Sequence, residues 1–232
     1  LGAHEIKEGN LIDSDGTYLY EVSRGGTHVS VISIKTSEEV GILPHNNYEI
    51  TCISCVEKRA ILVCGTDCEI DIWKVESSNS SETSNSSGNL IVFLGTISSH
   101  SMPIVAVVGN FYLDIVVSID EGSNIVISSL RERKFIHTFK VDCPSNSIHF
   151  LKILLSGLIV LSTNVPGELN SNILFFDLCG NILNKIQLNF YNLVFGEIVQ
   201  LIHFYYHPKN IFYYLLRLKL QYNYILKMIK SM

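Results

Sequence analysis

Long amphipathic stripes with helix caps are scarce in this chain of 232 residues, which leaves short strands as its main building element. It has no phosphate-binding loop, no Gly-x-Ser-x-Gly elbow and no paired zincin histidines, so three common catalytic signatures are missing. It also lacks a basic stripe: 17 basic residues stand against 22 acidic ones, and a net charge of −5 makes nucleic acid an unpromising partner. The opening LGAHEIKEGN is polar, carries no signal peptide and has no initiator Met, as expected of a fragment. Acids are absent after Glu197, where Lys209, Arg217, Lys219, Lys227 and Lys230 are all basic. Five charges over 22 residues are too dilute for a polybasic lipid signal, so this stretch reads as a plain tail. Charges in the middle of 211–232, each costing about 2.5–3.5 kcal/mol in lipid, also argue against a membrane span.

Other patterns promise chemistry and fail on inspection. Cys52, Cys55, Cys64 and Cys68 have C-x2-C and C-x3-C spacing, which superficially suggests zinc. In a strand, however, residues three apart face opposite sides, so these read as small thiols in a core, in a reducing compartment. Asp13-Ser14-Asp15-Gly16 resembles the start of a calcium loop, but its Gly comes too early and Arg24 stands where the bidentate Glu belongs. Asn79 and Asn85 head glycosylation sequons that matter only in a secreted chain. No cofactor or metal is expected, and the chain does not read as an enzyme.

What is present is a repeat. Hydrophobic residues make up 47% of the chain, in short runs rich in Ile, Val, Phe and Tyr and split by Gly, Asn, Ser and Asp. From His45 the order is a His, a strand-like run, a second run, a Thr66-Asp67 turn and Trp73 six residues later. From His100 the same order leads through Ser118 to Asp120, with Ser128 near the Trp position. The two His are 55 apart; without a Ser-rich insertion of about a dozen residues the period is roughly 43, within the ~40–45 of a WD repeat. DSDGTYLYEVSRGGTHVSVISI has the same form upstream, with a Gly25-Gly26 turn, and GLIVLSTNVPGELNSNILFFDLCGNIL repeats it downstream with an enlarged turn. A weaker fifth start is EIVQLIHFYYHPKNIFYYLL.

The expected fold is all-β, a partial WD-repeat β-propeller of about four to five blades over 1–207, with an apolar, basic tail at 208–232 that reads as strand or helix. Low-complexity 76–89 cannot bury apolar area and should loop between the third and fourth strands of a blade. Its Ser and Thr beside Glu82 are candidates for phosphorylation, although a neutral insertion explains them as well. His45, Thr66, Asp67 and Trp73 are expected to form a structural network: the carboxylate holds turn amides and the imidazole, and the hydroxyl relays the His to the indole. His100, Ser118 and Asp120 supply the second set.

Several stretches also resemble one family. GGTHVSVISI, HNNYEITCIS, VCGTDCEIDIW, HSMPIVAVV and above all LDIVVSIDEGSNIVISSLRERKFIHTF are similar to the carboxy-terminal WD repeats of BEACH-domain proteins (beige and neurobeachin relatives), and NILFFDLCGNILNKI resembles the next strand pair. The resemblance spans roughly residues 10 to 188 and fades after about Phe190. It implies a noncatalytic scaffold with protein partners, in vesicle and membrane traffic. It further implies a BEACH module or further blades elsewhere in the full protein, and a cytoplasmic location with peripheral attachment to vesicle or organelle membranes. The alternative is a generic WD-repeat adaptor in another complex, such as ubiquitin ligation or signalling.

Overall fold

The computed structural model of the chain describes residues 11–45, 48–57, 59–76, 90–143, 147–164 and 170–189. They form four sheets, each an antiparallel meander of four strands taken in chain order. The first holds β1 (Ile12–Ser14), β2 (Tyr18–Val22), β3 (His28–Ser33) and β4 (Glu39–Pro44). The second holds β5 (Ile50–Val56), β6 (Ala60–Gly65), β7 (Glu69–Glu76) and β8 (Leu90–Ser98). The third holds β9 (Ile104–Asn110), β10 (Ile115–Asp120), β11 (Asn124–Ser129) and β12 (Phe135–Lys140). The fourth holds β13 (Ile148–Ile153), β14 (Ile159–Asn164), β15 (Asn170–Phe176) and β16 (Ile182–Asn189). Each of the four full sequence repeats therefore becomes one blade.

The period-2 geometry of a strand explains how the blades stack. In β6, Ile61 and Val63 point into a core shared with Tyr18, Tyr20, Val29, Val31 and Leu43 of the first blade. Their neighbours Leu62 and Cys64 point the other way, into a core completed by Ile104, Val107, Val116 and Leu130 of the third. In β10, Val116 faces the second blade, while Ile115, Val117 and Ile119 meet Leu151, Ile153, Ile159, Leu161 and Phe176 of the fourth. Four blades thus enclose three apolar layers, and no blade has a core of its own. This is why the middle strands are apolar on both faces, every residue of β6 and β10 being buried. The outer strand β12 is instead almost wholly exposed.

Polar bonds fix the blades in register. Asp13 of β1 accepts the Cys55 N–H of β5 at 2.7 Å. Thr51 of β5 donates to the Ile104 carbonyl at 2.5 Å. The Ile50 N–H donates to the Gly26 carbonyl at 2.6 Å. Gly26 is required there: its φ is +68°, and an added Cβ would crowd Glu49 at 3.2 Å. His137 Nε2 lies 3.2 Å from the Cys179 carbonyl between the third and fourth blades.

Ser-rich 76–89 connects β7 to β8, the third and fourth strands of its blade, as its composition predicted; 77–89 themselves lie outside the described residues, as does the enlarged turn at 165–169. The fifth repeat start and the tail at 208–232 also lie outside them.

Candidate functional site

The residues singled out by the repeat lie at the entrances of the second and third blades. His45 precedes β5 and is buried against the β6–β7 hairpin. Its Nδ1 is 2.8 Å from Asp71 Oδ2, an Nδ1–H donating to carboxylate, and its Nε2 is 3.3 Å from Asp67 Oδ1. The second contact is close enough for an ion pair but too poorly aligned to be a hydrogen bond. Asp71 Oδ1 also accepts the Thr96 hydroxyl of β8 at 2.7 Å. A single buried carboxylate therefore ties the blade entrance to β7 and β8. The imidazole lies so near β6 that a Cβ on Gly65 would fall 2.3 Å from Nε2, which restricts that position to glycine. Burial acts to lower the His45 pKa, but the Asp71 hydrogen bond and the charges of Asp67 and Asp71 outweigh it. The net position is above the ordinary 6.5.

The third blade builds its entrance differently. His100 Nδ1 is 3.0 Å from Asp120 Oδ2, and Nε2 is 2.7 Å from the Ser118 hydroxyl. Asp120 Oδ1 additionally accepts the Asn124 N–H at 2.9 Å and so closes the turn. Burial dominates at His100, with Asp120 opposing it only in part, and the pKa falls below 6.5. The ring is neutral at pH 7, donating from Nδ1 and accepting the serine proton at Nε2.

His100, Ser118 and Asp120 have the connectivity of a hydrolytic triad. Their burial argues for a structural clamp instead: Ser118 is 1% exposed and Asp120 2%. A nucleophilic oxygen needs access to a substrate carbonyl and donors for the oxyanion, and this hydroxyl is shielded from solvent. His45 is equally enclosed, and its ring contacts among the described residues are the carboxylates of Asp67 and Asp71.

The expected relay through Thr66 to Trp73 is not what the second blade builds. Thr66 contributes its backbone, its N–H donating to the Glu49 carbonyl at 2.9 Å. Trp73 Nε1 is buried without a hydrogen-bond partner among the described residues, and the ring packs tilted on Phe93 at 4.8 Å. The reason lies in register. Asp71 and Val126 are each the third residue of the third strand, paired with Val63 and Ser118 respectively. The third blade has its polar group on the second strand; the second blade has Val63 there and carries the carboxylate on the third. Trp73 and Ser128 are both fifth in that strand, so Ser128 does hold the Trp position. Sequence reading missed Asp71, yet a signal existed: a carboxylate between two isoleucines in an otherwise apolar strand needs a buried partner.

The four closely spaced cysteines are dispersed. Cys52 and Cys64 pair across β5 and β6 toward the third blade, Cys55 packs toward the first, and Cys68 lies in the turn. Burial pushes the thiols of Cys64 and Cys55 well up, so both are protonated at neutral pH. Among the described residues, no three His, Cys, Asp or Glu converge on one point.

Comparison with protein families and with curated proteins finds no match. Solved structures do match. A chain of a mitotic checkpoint complex superposes with a TM-score of 0.58 at 13% identity, over 75% of this chain and 51% of that one. The computationally designed Ika8 protein gives 0.52 at 16% identity, over 75% and 48%. This chain is a partial β-propeller. It spans about half the length of the structures it matches, and at such identities the likeness concerns the fold alone.

Proposed function

We propose that the propeller is a noncatalytic platform for protein partners, and that it is the WD-repeat part of a BEACH-like scaffold in membrane and vesicle traffic. The observation that carries the first step is the use of its chemistry-bearing side chains: His45, Asp71, His100, Ser118 and Asp120 are all spent inside blade entrances, leaving rims and grooves as the working surface. The second step rests on the sequence stretches. GGTHVSVISI forms the β2–β3 turn and β3, HNNYEITCIS leads into β5, and LDIVVSIDEGSNIVISSLRERKFIHTF runs from the β9–β10 turn through β12. These segments, on which the resemblance rests, form strands and turns of the first three blades. Location on vesicle or organelle membranes through a full-length protein belongs to the same proposal. Among the described residues no helix is long and apolar enough to cross a membrane.

Reading the gene upstream of Leu1 and isolating partners with the tagged chain tests both steps. A BEACH module in frame and membrane-traffic factors in the eluate are expected. An unrelated upstream domain with ligase or signalling subunits would replace the trafficking assignment by a general adaptor. Turnover of a substrate abolished by Ser118→Ala would overturn the noncatalytic reading itself.

A further inference from the structure

Between the second and third blades, at the end away from His45 and His100, lies a cavity of about 220 Å³. Its floor is apolar and buried, with Ile72 of β7 and Leu130 after β11. Its mouth is cationic. Arg59 comes from the β5–β6 turn, and Arg131 and Arg133 from the β11–β12 turn. The Arg59 and Arg131 guanidiniums lie 5.1 and 5.3 Å from the centroid of one ring, Phe111. Arg133 donates to the Leu94 carbonyl of the neighbouring blade.

This cluster is unusual in a chain of net charge −5. Three guanidiniums repel one another, and the carboxylates nearby offset part of that charge while making few direct bonds to the guanidiniums. Glu57 accepts the Phe111 N–H at 3.2 Å, and Glu132 sits 3.5 Å from Lys134. Asp114 accepts the Arg131 N–H and the Ser129 hydroxyl, both at 2.9 Å, and reaches the Arg131 side chain only at 3.7 Å. Among the described residues Arg59 has no carboxylate within ion-pair distance. The aromatic ring favours this placement of Arg59 and Arg131, and the inter-blade bond holds Arg133, so part of the ordering entropy is already spent when an anion arrives. Beside them Tyr112, 75% exposed, meets Phe111 edge-on at 6.0 Å.

We propose that this pocket is the docking site for an acidic peptide segment carrying one apolar side chain, which enters the cavity between Ile72 and Leu130 while flanking carboxylates take the guanidiniums. This rests on the reading of the chain as a partner-binding platform and names the chemistry of one partner. Arg-carboxylate pairing supplies forked, directional bonds at the mouth, and the apolar floor favours a peptide side chain over a bare anion.

The test uses the 232-residue chain and a fluorescent peptide with one Leu between two runs of Asp and Glu, measured by polarisation. Binding should weaken on the order of tenfold or more in the double variant Arg59→Glu, Arg131→Glu, and weaken with added salt. Both side chains are exposed, so unchanged thermal unfolding should accompany the loss. The peptide with Ser in place of Leu should bind less tightly than the parent, and one with Asn and Gln in place of the acids should not bind. No binding of the parent peptide, equal affinity in the double variant, or equal affinity for the neutral peptide would each overturn the proposal. So would capture of anionic phospholipid vesicles without capture of the peptide. If the chain still isolates protein partners after any of these results, the platform reading stands and only this pocket is lost.

Discussion

The entrances of the second and third blades solve one problem with different chemistry. Each must hold a buried imidazole beside a hairpin turn. His45 sits between two carboxylates, Asp71 at 2.8 Å and Asp67 at 3.3 Å. His100 sits between one carboxylate and one hydroxyl, Asp120 at 3.0 Å and Ser118 at 2.7 Å. A hydroxyl can give a proton to a neutral ring, so His100 is satisfied uncharged. A carboxylate cannot, so His45 is fully matched only when protonated. The opposite directions of the two pKa shifts express that single difference in partners. A repeat therefore preserves the position of a polar network more readily than its charge state.

The sharpest way to break the comparison is at Asp71. Asp71→Ala removes the acceptor of both His45 and Thr96 from a site where the carboxylate is 3% exposed. Removing one member of a buried ionic set costs about 3–5 kcal/mol, and thermal or denaturant unfolding should record it. Loss of less than about 1 kcal/mol, the range of an ordinary surface change, would show that His45 is held by Asp67 instead.

Next in size is the fifth position of the third strand. Trp73→Ala removes a partly buried ring that packs on Phe93 and against the layer shared with the first blade. Because the indole is only partly enclosed, the expected loss is about 2–3 kcal/mol, below the ~3–5 of a fully buried Trp. At the matching site Ser128→Ala removes a buried hydroxyl with no partner among the described residues, and should be neutral or slightly stabilising. Equal losses at the two positions would refute their different roles.

These two positions also show what was legible in the sequence. The four full blades and the place of the Ser-rich loop followed from hydrophobic runs and turn residues, because strand alternation and repeat length act locally. His100, Ser118 and Asp120 were legible as a set for the same reason: hydroxyl, turn and carboxylate lie within three residues. The His45 network was misassigned in part. Thr66 and Trp73 fit the repeat by spacing, but the partner that matters, Asp71, is fixed by pairing of β7 with β6 and β8, which sequence spacing does not reveal. The Arg59, Arg131 and Arg133 cluster was invisible for a stronger version of that reason, since its members come from two blades and meet only after stacking.

The pH dependence separates the entrances by sign. His45 has a folded pKa above its unfolded 6.5, so the stability it contributes is present below about 6.5 and is lost as pH rises through the folded value. His100 has a folded pKa below 6.5, so its contribution is present above about 6.5 and is lost as pH falls through the folded value. Imidazole resonances followed by NMR should place the two midpoints on opposite sides of 6.5. Midpoints on the same side would remove the distinction.

Among the losses, the smallest is expected at Ser118. Its hydroxyl donates to His100 Nε2, while Asp120 independently holds Nδ1 and the Asn124 amide. Ser118→Ala therefore leaves the ring oriented and the turn closed, and exposes one buried nitrogen acceptor to a methyl group. An unmet acceptor of this kind costs about 1–2 kcal/mol, less than the loss at Asp71 because no charge is stranded. Ser118→Thr keeps the oxygen and should recover most of the difference, provided the added methyl fits beside Val107, its neighbour across β9 and β10. Thermal unfolding of the two variants side by side decides the point. If alanine and threonine are equally destabilising, packing around position 118 rather than the hydrogen bond sets the cost, and the third blade's entrance is held by Asp120 alone.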